Sequence, residues 1–229
     1  MSEAKFWIAL EQSPGVGPAS LFEIRKATSA AGLSIRDIFF LSRSDLEREF
    51  HFTAAVLDAF HSALAILDRV EADYLKILDA GFEAIFVFDP RYPKRLASVL
   101  KSQAPSVLYC FGNTAILQEA SAAILGDRDV SERGGMISYM AAKELSRRGI
   151  PVISGLARGA DTIAHRSAVE NGGRTVAVLP YGALHTSIPQ SLQHVLIRTL
   201  FFWYPRSTRQ RPTRPSTRSR ATASWRRLR

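Results

Sequence analysis

The stretch VISGLARGADTIAHRSAVENGGRTVAVLP, residues 152–180, contains a short apolar run, a glycine-rich turn, a helical segment and a second apolar run. Each apolar run has the length of a buried strand, and the segment between them has the apolar spacing of a helix. A strand, a helix and a second strand in this order predict a right-handed crossover between parallel strands. The turn SGLARGAD is then placed where such folds bind ligands.

The same alternation extends upstream. SAAILG predicts a strand, ISYMAAKELSRRG predicts a helix that ends at Gly149, and PVISG predicts the next strand. Before them, EAIFVF and SVLYCFG predict two more strands, separated by the rigid turn DPRYP. We therefore predict an α/β fold with a Rossmann-like parallel sheet, and we assign this core to residues 76–198.

Residues 1–75 have a different pattern, because their apolar residues recur every three or four positions. They predict a small N-terminal helical domain followed by a long connecting helix. Ser44 and Glu47 fit a capping box, and helices are expected to end near Gly32 and Gly81.

The segment QSPGVGPASL within this helical domain is similar to the hairpin of a helix-hairpin-helix motif. Its glycines would expose backbone N–H groups that can contact a phosphate. A plain turn between two helices explains the same residues equally well, so both interpretations stay open. We class the domain as SAM- or helix-hairpin-helix-like.

The net charge of +9 is concentrated at the C-terminus, since residues 201–229 hold nine arginines, no lysine and no acid. The other 21 of the 30 basic residues equal the 21 acidic ones, so the rest of the chain is formally neutral. Low apolar content and the lack of a period predict a disordered Arg-rich tail over residues 199–229. The overall charge is therefore not evidence of a nucleic-acid partner.

Composition also excludes several classes of function. The lone Cys110 lies in an apolar run and has no cysteine partner, so we expect a buried structural thiol. The chain shows no signal peptide and no apolar run near the ~18 residues of a membrane span, which predicts a cytoplasmic protein without a membrane partner.

Catalysis has little support in the sequence, which contains no nucleophile elbow, no Ser-His-Asp order and no paired carboxylates at strand ends. We expect no catalytic residues, no cofactor and no metal. Asp161 and His165 share one face of a predicted helix, but no second histidine or acidic cluster accompanies them. A hydrogen-bonded, helix-packing histidine is favoured over a metal pair.

Ligands of parallel α/β sheets bind where strands end, because helix N-termini and backbone N–H groups meet there. Two turns qualify, and they contribute Gly126, Arg128, Ser131, Ser154, Gly155, Arg158, Gly159 and Asp161. If the two strands are neighbours, Arg128 and Arg158 project over one sheet edge and form an anion site. The alternative is that the glycines only permit tight turns, Asp161 only caps a helix and the arginines are solvated.

Both turns and their flanking segments resemble the DNA-processing protein A family, also called Smf. ISGLARGADTIAHRSAVENGGRTVAVLPYG is similar to the family pattern S-G-L-A-R-G-I-D-x-x-A-H followed by G-G-x-T-I-A-V-L-x-x-G. FDPRYPKRLASVLKSQAPSVLYCFGN resembles D-P-x-Y-P-x-x-L … P-x-x-L-x-x-x-G-N, and AILGDRDVSERG resembles V-G-S-R-x-x-S-x-x-G. LEQSPGVGP is similar to the start of the helical domain that precedes the core in many members.

The resemblance implies that the eight residues of the two turns bind single-stranded DNA in a positive pocket. It also implies loading of a RecA-type recombinase during natural transformation, and a homodimer provided that later parts of the family sequence are not needed for it. Asp127 departs from the pattern, since it replaces the serine of G-S-R and puts a carboxylate beside Arg128.

The likeness ends near residue 190, and the family segment F-P-x-R-N-R-x-I-x-G-L-S does not follow. The abrupt change to acid-free, low-complexity sequence predicts a member truncated or frameshifted after about residue 198. Reading the underlying DNA in its other two frames tests this hypothesis.

The sequence leaves two alternative functions. A nucleotide hydrolase of the phosphoribohydrolase type shares a similar Rossmann-like core, but its P-G-G-x-G-T-x-x-E loop is absent from this chain. Alternatively, the Arg-rich tail binds nucleic acid or another anionic surface by charge alone.

Overall fold

The computed structural model describes residues 3–179 and 199–203. Residue contacts divide the described residues into two compact units, the first formed by residues 3–79 and 84–108 and the second by residues 80–83, 109–179 and 199–203. Packing thus groups residues 84–108 with the helices, whereas the sequence pattern groups them with the core.

The first unit contains the predicted helices, which are α1 (Ala4–Glu11), α2 (Pro18–Ala30), α3 (Ile35–Phe39), α4 (Arg43–Phe50) and α5 (Ala54–Asp79). The long helix α5 packs on α1. Lys5 Nζ of α1 contacts Glu71 Oε2 of α5 at 2.8 Å. Among the described residues, no helix combines the length and apolarity that crossing a membrane requires.

The start of α4 corrects one sequence prediction. The Oγ of Ser42 accepts a hydrogen bond from Asp45 N at 3.1 Å, so Ser42 is the N-cap. The predicted capping box of Ser44 and Glu47 is wrong, because Ser44 already lies within the first turn of the helix. Both serines are good caps by residue type, and the sequence does not separate them.

The predicted helix ends at three glycines are confirmed. Gly32, Gly81 and Gly149 follow α2, α5 and a helix of the second unit with φ of 67°, 89° and 72°. These values lie in the left-handed region, which glycine enters without a Cβ clash.

Six strands form the sheet: β1 (Glu83–Phe86), β2 (Val107–Phe111), β3 (Ala122–Ala123), β4 (Val152–Ser154), β5 (Thr175–Leu179) and β6 (Thr199–Trp203). Their order is β1-β2-β6-β5-β4-β3. The pairs β3–β4, β4–β5 and β5–β6 are parallel, and β2 pairs antiparallel with β6. The predicted α/β fold with a parallel sheet is therefore confirmed.

The helices of the αβ region are α6 (Lys94–Leu100), α7 (Glu132–Arg147) and α8 (Ala160–Glu170). In the second unit α7 packs on α8, and both contact β4. Their shared core is made of small residues, since Ala142, Ala164 and Ala168 are fully buried around Val152. Cys110 is also fully buried, as predicted.

The strand β6 corrects the predicted start of the tail. Residues 199–203 pair in parallel with β5 and antiparallel with β2, which satisfies the backbone groups on both sides of the strand. The sequence TLFFW is apolar enough to lie inside a sheet, although Arg-rich sequence follows it. The rest of the predicted tail, residues 204–229, and the proposed frame change near residue 198 lie outside the described residues.

Candidate nucleic-acid interface

The parallel pairing of β3 with β4 brings the two predicted turns side by side. Ala122 pairs with Val152 and Ala123 with Ile153, so both strands end at the same edge of the sheet. We name the segment after β3, residues 124–131, the first turn, and residues 154–161 the second turn. The condition on which the sequence argument depends, that these strands are neighbours, is met.

Two glycines allow the turns to touch through their backbones. Ala160 N donates to Asp127 O at 3.1 Å. A Cβ on Gly159 would lie 2.3 Å from Asp127 O and 2.5 Å from Arg128 O, and its φ of +88° is itself unfavourable for other residues. A Cβ on Gly126 would lie 2.6 Å from the Cβ of Ala160. Larger side chains at either glycine would push the turns apart.

Buried polar groups hold the second turn in place through hydrogen bonds. Ser154 is 1% exposed, and its Oγ donates to Ile124 O at 2.6 Å. Asp161 is 7% exposed, and its Oδ2 accepts from Ala157 N at 3.3 Å. A Cβ on Gly155 would lie 2.5 Å from that Oδ2. Ser154, Gly155 and Asp161 therefore hold the shape of the turn.

His165 supports the same turn and confirms the predicted packing histidine. It is 1% exposed, its Nε2 lies 2.5 Å from Gly155 O, and its Nδ1 lies 2.6 Å from Thr175 Oγ1. Burial lowers the pKa of His165, and the Gly155 carbonyl and the charge of Asp161 oppose this only in part. In residues 3–179 and 199–203, no group of histidine, cysteine and acidic residues is arranged to hold a metal.

The first turn is built differently, because residues 125–129 and Ser131 are all exposed. Ser131 is exposed and caps α7, its Oγ accepting from Gly134 N at 3.2 Å. This cap starts α7 five residues before the predicted helix. Arg128 is also exposed.

Arg158 is bound to the first turn through an acid that the sequence analysis missed. Its Nη2 forms an ion pair with Asp129 Oδ1, although both side chains are more than three-quarters exposed. The structure brings Arg158 to the first turn through Asp129, and it brings the backbone of Arg128 against Gly159. The available signal for Asp129 was the alternation of charges in the tripeptide DRD.

The exposed charges of the site balance, which differs from the positive pocket that the resemblance implies. Residues 126–133 and 154–161 contain three exposed arginines and three exposed acids, which are Arg128, Arg133, Arg158, Asp127, Asp129 and Glu132. An incoming anion therefore meets a neutral surface, and it can reach a guanidinium only by replacing a carboxylate or by using an arginine that has no acidic partner.

The sequence model of one family, described as DNA recombination-mediator protein A, matches residues 83–201, just over half of the chain. DNA processing protein DprA of Streptococcus pneumoniae is 34% identical over 101 residues, which cover 44% of this chain and 35% of that protein. DprA of Bacillus subtilis is 26% identical over 179 residues, which cover 78% of this chain and 57% of that protein. The matches thus span between about a third and three-fifths of these relatives.

The fold is likewise similar to a solved structure. The X-ray structure of DprA from Streptococcus pneumoniae superimposes with a TM-score of 0.61 at 22% identity, over 86% of this chain and 65% of that chain. At this identity the likeness bears on the fold alone. The family match covers β1 to β5, both turns and most of β6. The chain belongs to the DNA recombination-mediator protein A family.

Proposed function

We propose that the two turns bind the sugar–phosphate backbone of single-stranded DNA. The observation that carries this proposal is the contact of Gly159 with the backbone of Asp127 and Arg128, because it brings an arginine-bearing turn from each of two neighbouring strands to one sheet edge. Membership of a family of recombination mediators supports DNA as the ligand. The protein is proposed to act as a binding protein and not as an enzyme.

The eight predicted site residues divide into two groups by their proposed roles. Arg128 and Arg158 are exposed and present planar guanidiniums, which suit bidentate contact with a phosphate. Ser131 is exposed beside them at the start of α7. The other five, Gly126, Ser154, Gly155, Gly159 and Asp161, are proposed to position the two turns.

The balanced charge of the site sets the expected strength of binding. A neutral surface provides little long-range attraction, so affinity depends on the few phosphates that the arginines contact directly. Each phosphate contact to a single strand contributes about −0.7 to the slope of log affinity against log salt. Two contacts therefore predict a slope of about −1.4 for the two turns, before any contribution of the Arg-rich tail.

We further propose that the protein presents the bound strand to a RecA-type recombinase during DNA uptake, and that two copies associate to do so. The description of the family as a recombination mediator supports this role. The test is the rate of recombinase filament formation on protein-coated single strands. Addition of this chain should shorten the lag before filaments form, and addition of the Arg158→Ala variant should leave that lag unshortened.

The primary test is a fluorescence-anisotropy titration of labelled single-stranded and duplex oligonucleotides at two salt concentrations. Arg128→Ala and Arg158→Ala should each weaken single-strand binding about fivefold, because each removes a charge-assisted contact. Arg148→Ala is the matched control, since Arg148 is also exposed and ion-paired, to Glu144, but lies at the opposite end of α7. Equal binding by all four proteins would refute the proposed site.

The tail needs a separate control, because its nine arginines can bind DNA by charge alone. A variant that ends after residue 203 retains β6 and removes all nine. When Arg158→Ala is introduced into this shortened variant, we expect the same loss of single-strand binding as in the full chain. If it binds no single-stranded DNA while the full chain does, the tail is the binding element.

A further inference from the structure

We propose that Asp129 is an internal competitor for the phosphate site: its carboxylate occupies the Arg158 guanidinium in the free protein, and DNA binds by displacing it. The inference rests on the proposed function, since it concerns the same two turns. It assigns Asp129 the role of setting the affinity of the site for a phosphodiester.

The ion pair has the properties that such a competitor needs. Asp129 comes from the first turn and Arg158 from the second, so the pair connects the two segments at the surface. The side chains are 80% and 77% exposed, respectively. Exposed ion pairs contribute little stability, so a phosphate oxygen, which accepts from the same guanidinium, can replace the carboxylate at small cost.

The other acids of the site do not have this position. Asp127 is used within the first turn, where its Oδ1 accepts from Asp129 N at 3.4 Å and its carbonyl accepts from Ala160 N. Glu132 forms no ion pair with any part of the chain that the structure describes. Asp161 is buried. Asp129 alone among the four contacts an arginine that the proposed function uses.

Arg128 and Arg158 consequently have different roles in the free protein. Arg158 has its charge compensated by Asp129, whereas no ion pair of Arg128 is found within residues 3–179 and 199–203. DNA is expected to contact Arg128 without prior rearrangement and to gain Arg158 only when Asp129 swings away. Removing the Asp129 charge should then make Arg158 available from the start.

The test is the single-strand titration repeated with Asp129→Asn, which keeps the size of the side chain and removes its charge. Single-strand affinity should rise about threefold at low salt, the change expected when an exposed ion pair of about 0.7 kcal/mol no longer competes. Glu132→Gln is the matched control, because it removes one exposed acid from the adjacent helical turn. We expect it to change affinity less than twofold.

A double-mutant cycle separates competition for the Arg158 guanidinium from the general effect of removing a negative charge near the DNA. In the Arg158→Ala background, Asp129→Asn should have no more effect than Glu132→Gln has in the wild type, because the guanidinium it competes for is gone. The inference is overturned if Asp129→Asn raises single-strand affinity equally in both backgrounds, or if it raises affinity no more than Glu132→Gln does. If Arg158→Ala binds too weakly to measure, the comparison with Glu132→Gln in the wild type decides.

The two proposals fail in distinguishable ways. If Arg128→Ala and Arg158→Ala both bind like the wild type, the proposed DNA site is wrong, whatever Asp129→Asn does. If both bind more weakly but Asp129→Asn is unchanged, the site stands and the competition is wrong.

Discussion

The two turns of the candidate site have opposite constructions. The second turn is supported by polar groups withdrawn from solvent, namely the Ser154 hydroxyl, the Asp161 carboxylate and the His165 ring. In the first turn, residues 125–129 are all exposed, and they contact the second turn through the backbone at Gly159. Buried groups of the second turn therefore determine the shape of the site, and the first turn offers most of its charges. Substitutions of the buried groups should accordingly affect stability, and substitutions of the exposed charged residues, Arg158 of the second turn included, should affect binding.

The largest effect on stability is expected for Gly159→Ala. The added Cβ would overlap the carbonyl oxygens of Asp127 and Arg128, and the φ of +88° is strained for alanine. Strain and overlap together should lower the free energy of unfolding by about 3 kcal/mol. Chemical denaturation followed by circular dichroism measures the loss.

Gly149→Ala is the control for this substitution. Its φ of +72° imposes a similar backbone penalty, but nothing lies within 4 Å of the added Cβ. The expected cost is about 1 kcal/mol, from the backbone alone. Equal losses for Gly149→Ala and Gly159→Ala would mean that the close contact between the turns contributes nothing.

Two serine substitutions compare the turns directly. Ser154→Ala removes a buried hydroxyl and deprives Ile124 O of its donor, which should cost about 2 kcal/mol. Ser131→Ala removes the exposed cap of α7, which should cost about 1 kcal/mol. The same urea titration measures both, and a larger loss for Ser131→Ala would reverse the comparison.

The buried His165 should make stability depend on pH. Because burial lowers its pKa from the ordinary 6.5, His165 binds a proton in the unfolded chain at a pH where it stays neutral in the folded chain. The contribution of His165 to stability should therefore fall as pH drops below about 6.5, by up to about 1.4 kcal/mol per pH unit, until the folded pKa is reached. Between pH 5.5 and 7.5, the slope of unfolding free energy against pH should be more positive in the wild type than in His165→Gln, because only the wild type has this contribution.

A second, partly buried group titrates with the opposite sign and must be separated from His165. Burial raises the pKa of Glu11, in the helical unit, from 4.5 to about 7. The folded chain then retains a proton that the unfolded chain loses, so this group reduces stability as pH rises from about 4.5 to 7. Glu11 is present in both the wild type and His165→Gln, and the difference between their slopes therefore reports His165 alone. Identical slopes would contradict the assignment.

Local patterns predicted the parts of the fold that short segments determine. The alternation of strands and helices, the helix ends at glycines and the burial of Cys110 all follow from residue type and spacing. The packing role of His165 was also predictable, because its helix face offered no second metal ligand. Neighbouring strands and glycine-rich turns then gave the approximate place of the site.

Features that depend on tertiary contacts were not predictable in the same way. The strand β6 is an apolar pentapeptide before an Arg-rich segment, and only its pairing with β2 and β5 identifies it. Ser154 and Ser131 look alike in sequence as small hydroxyls in turns, yet one is buried and the other exposed. The pair of Asp129 and Arg158 joins residues 29 positions apart, for which no local pattern exists.

The smallest effect on stability should accompany a clear change in binding, at the ion pair between the turns. Arg158→Ala and Asp129→Asn should each change the free energy of unfolding by less than about 0.5 kcal/mol, because exposed ion pairs contribute little. The same variants should shift single-strand affinity in opposite directions, and the shifts should shrink at high salt as the charges are screened. Denaturation and anisotropy titrations on the same samples check both halves. A stability loss above 1 kcal/mol in either variant would show that the exposed ion pair also supports the fold, and the division between buried and exposed groups would then be wrong.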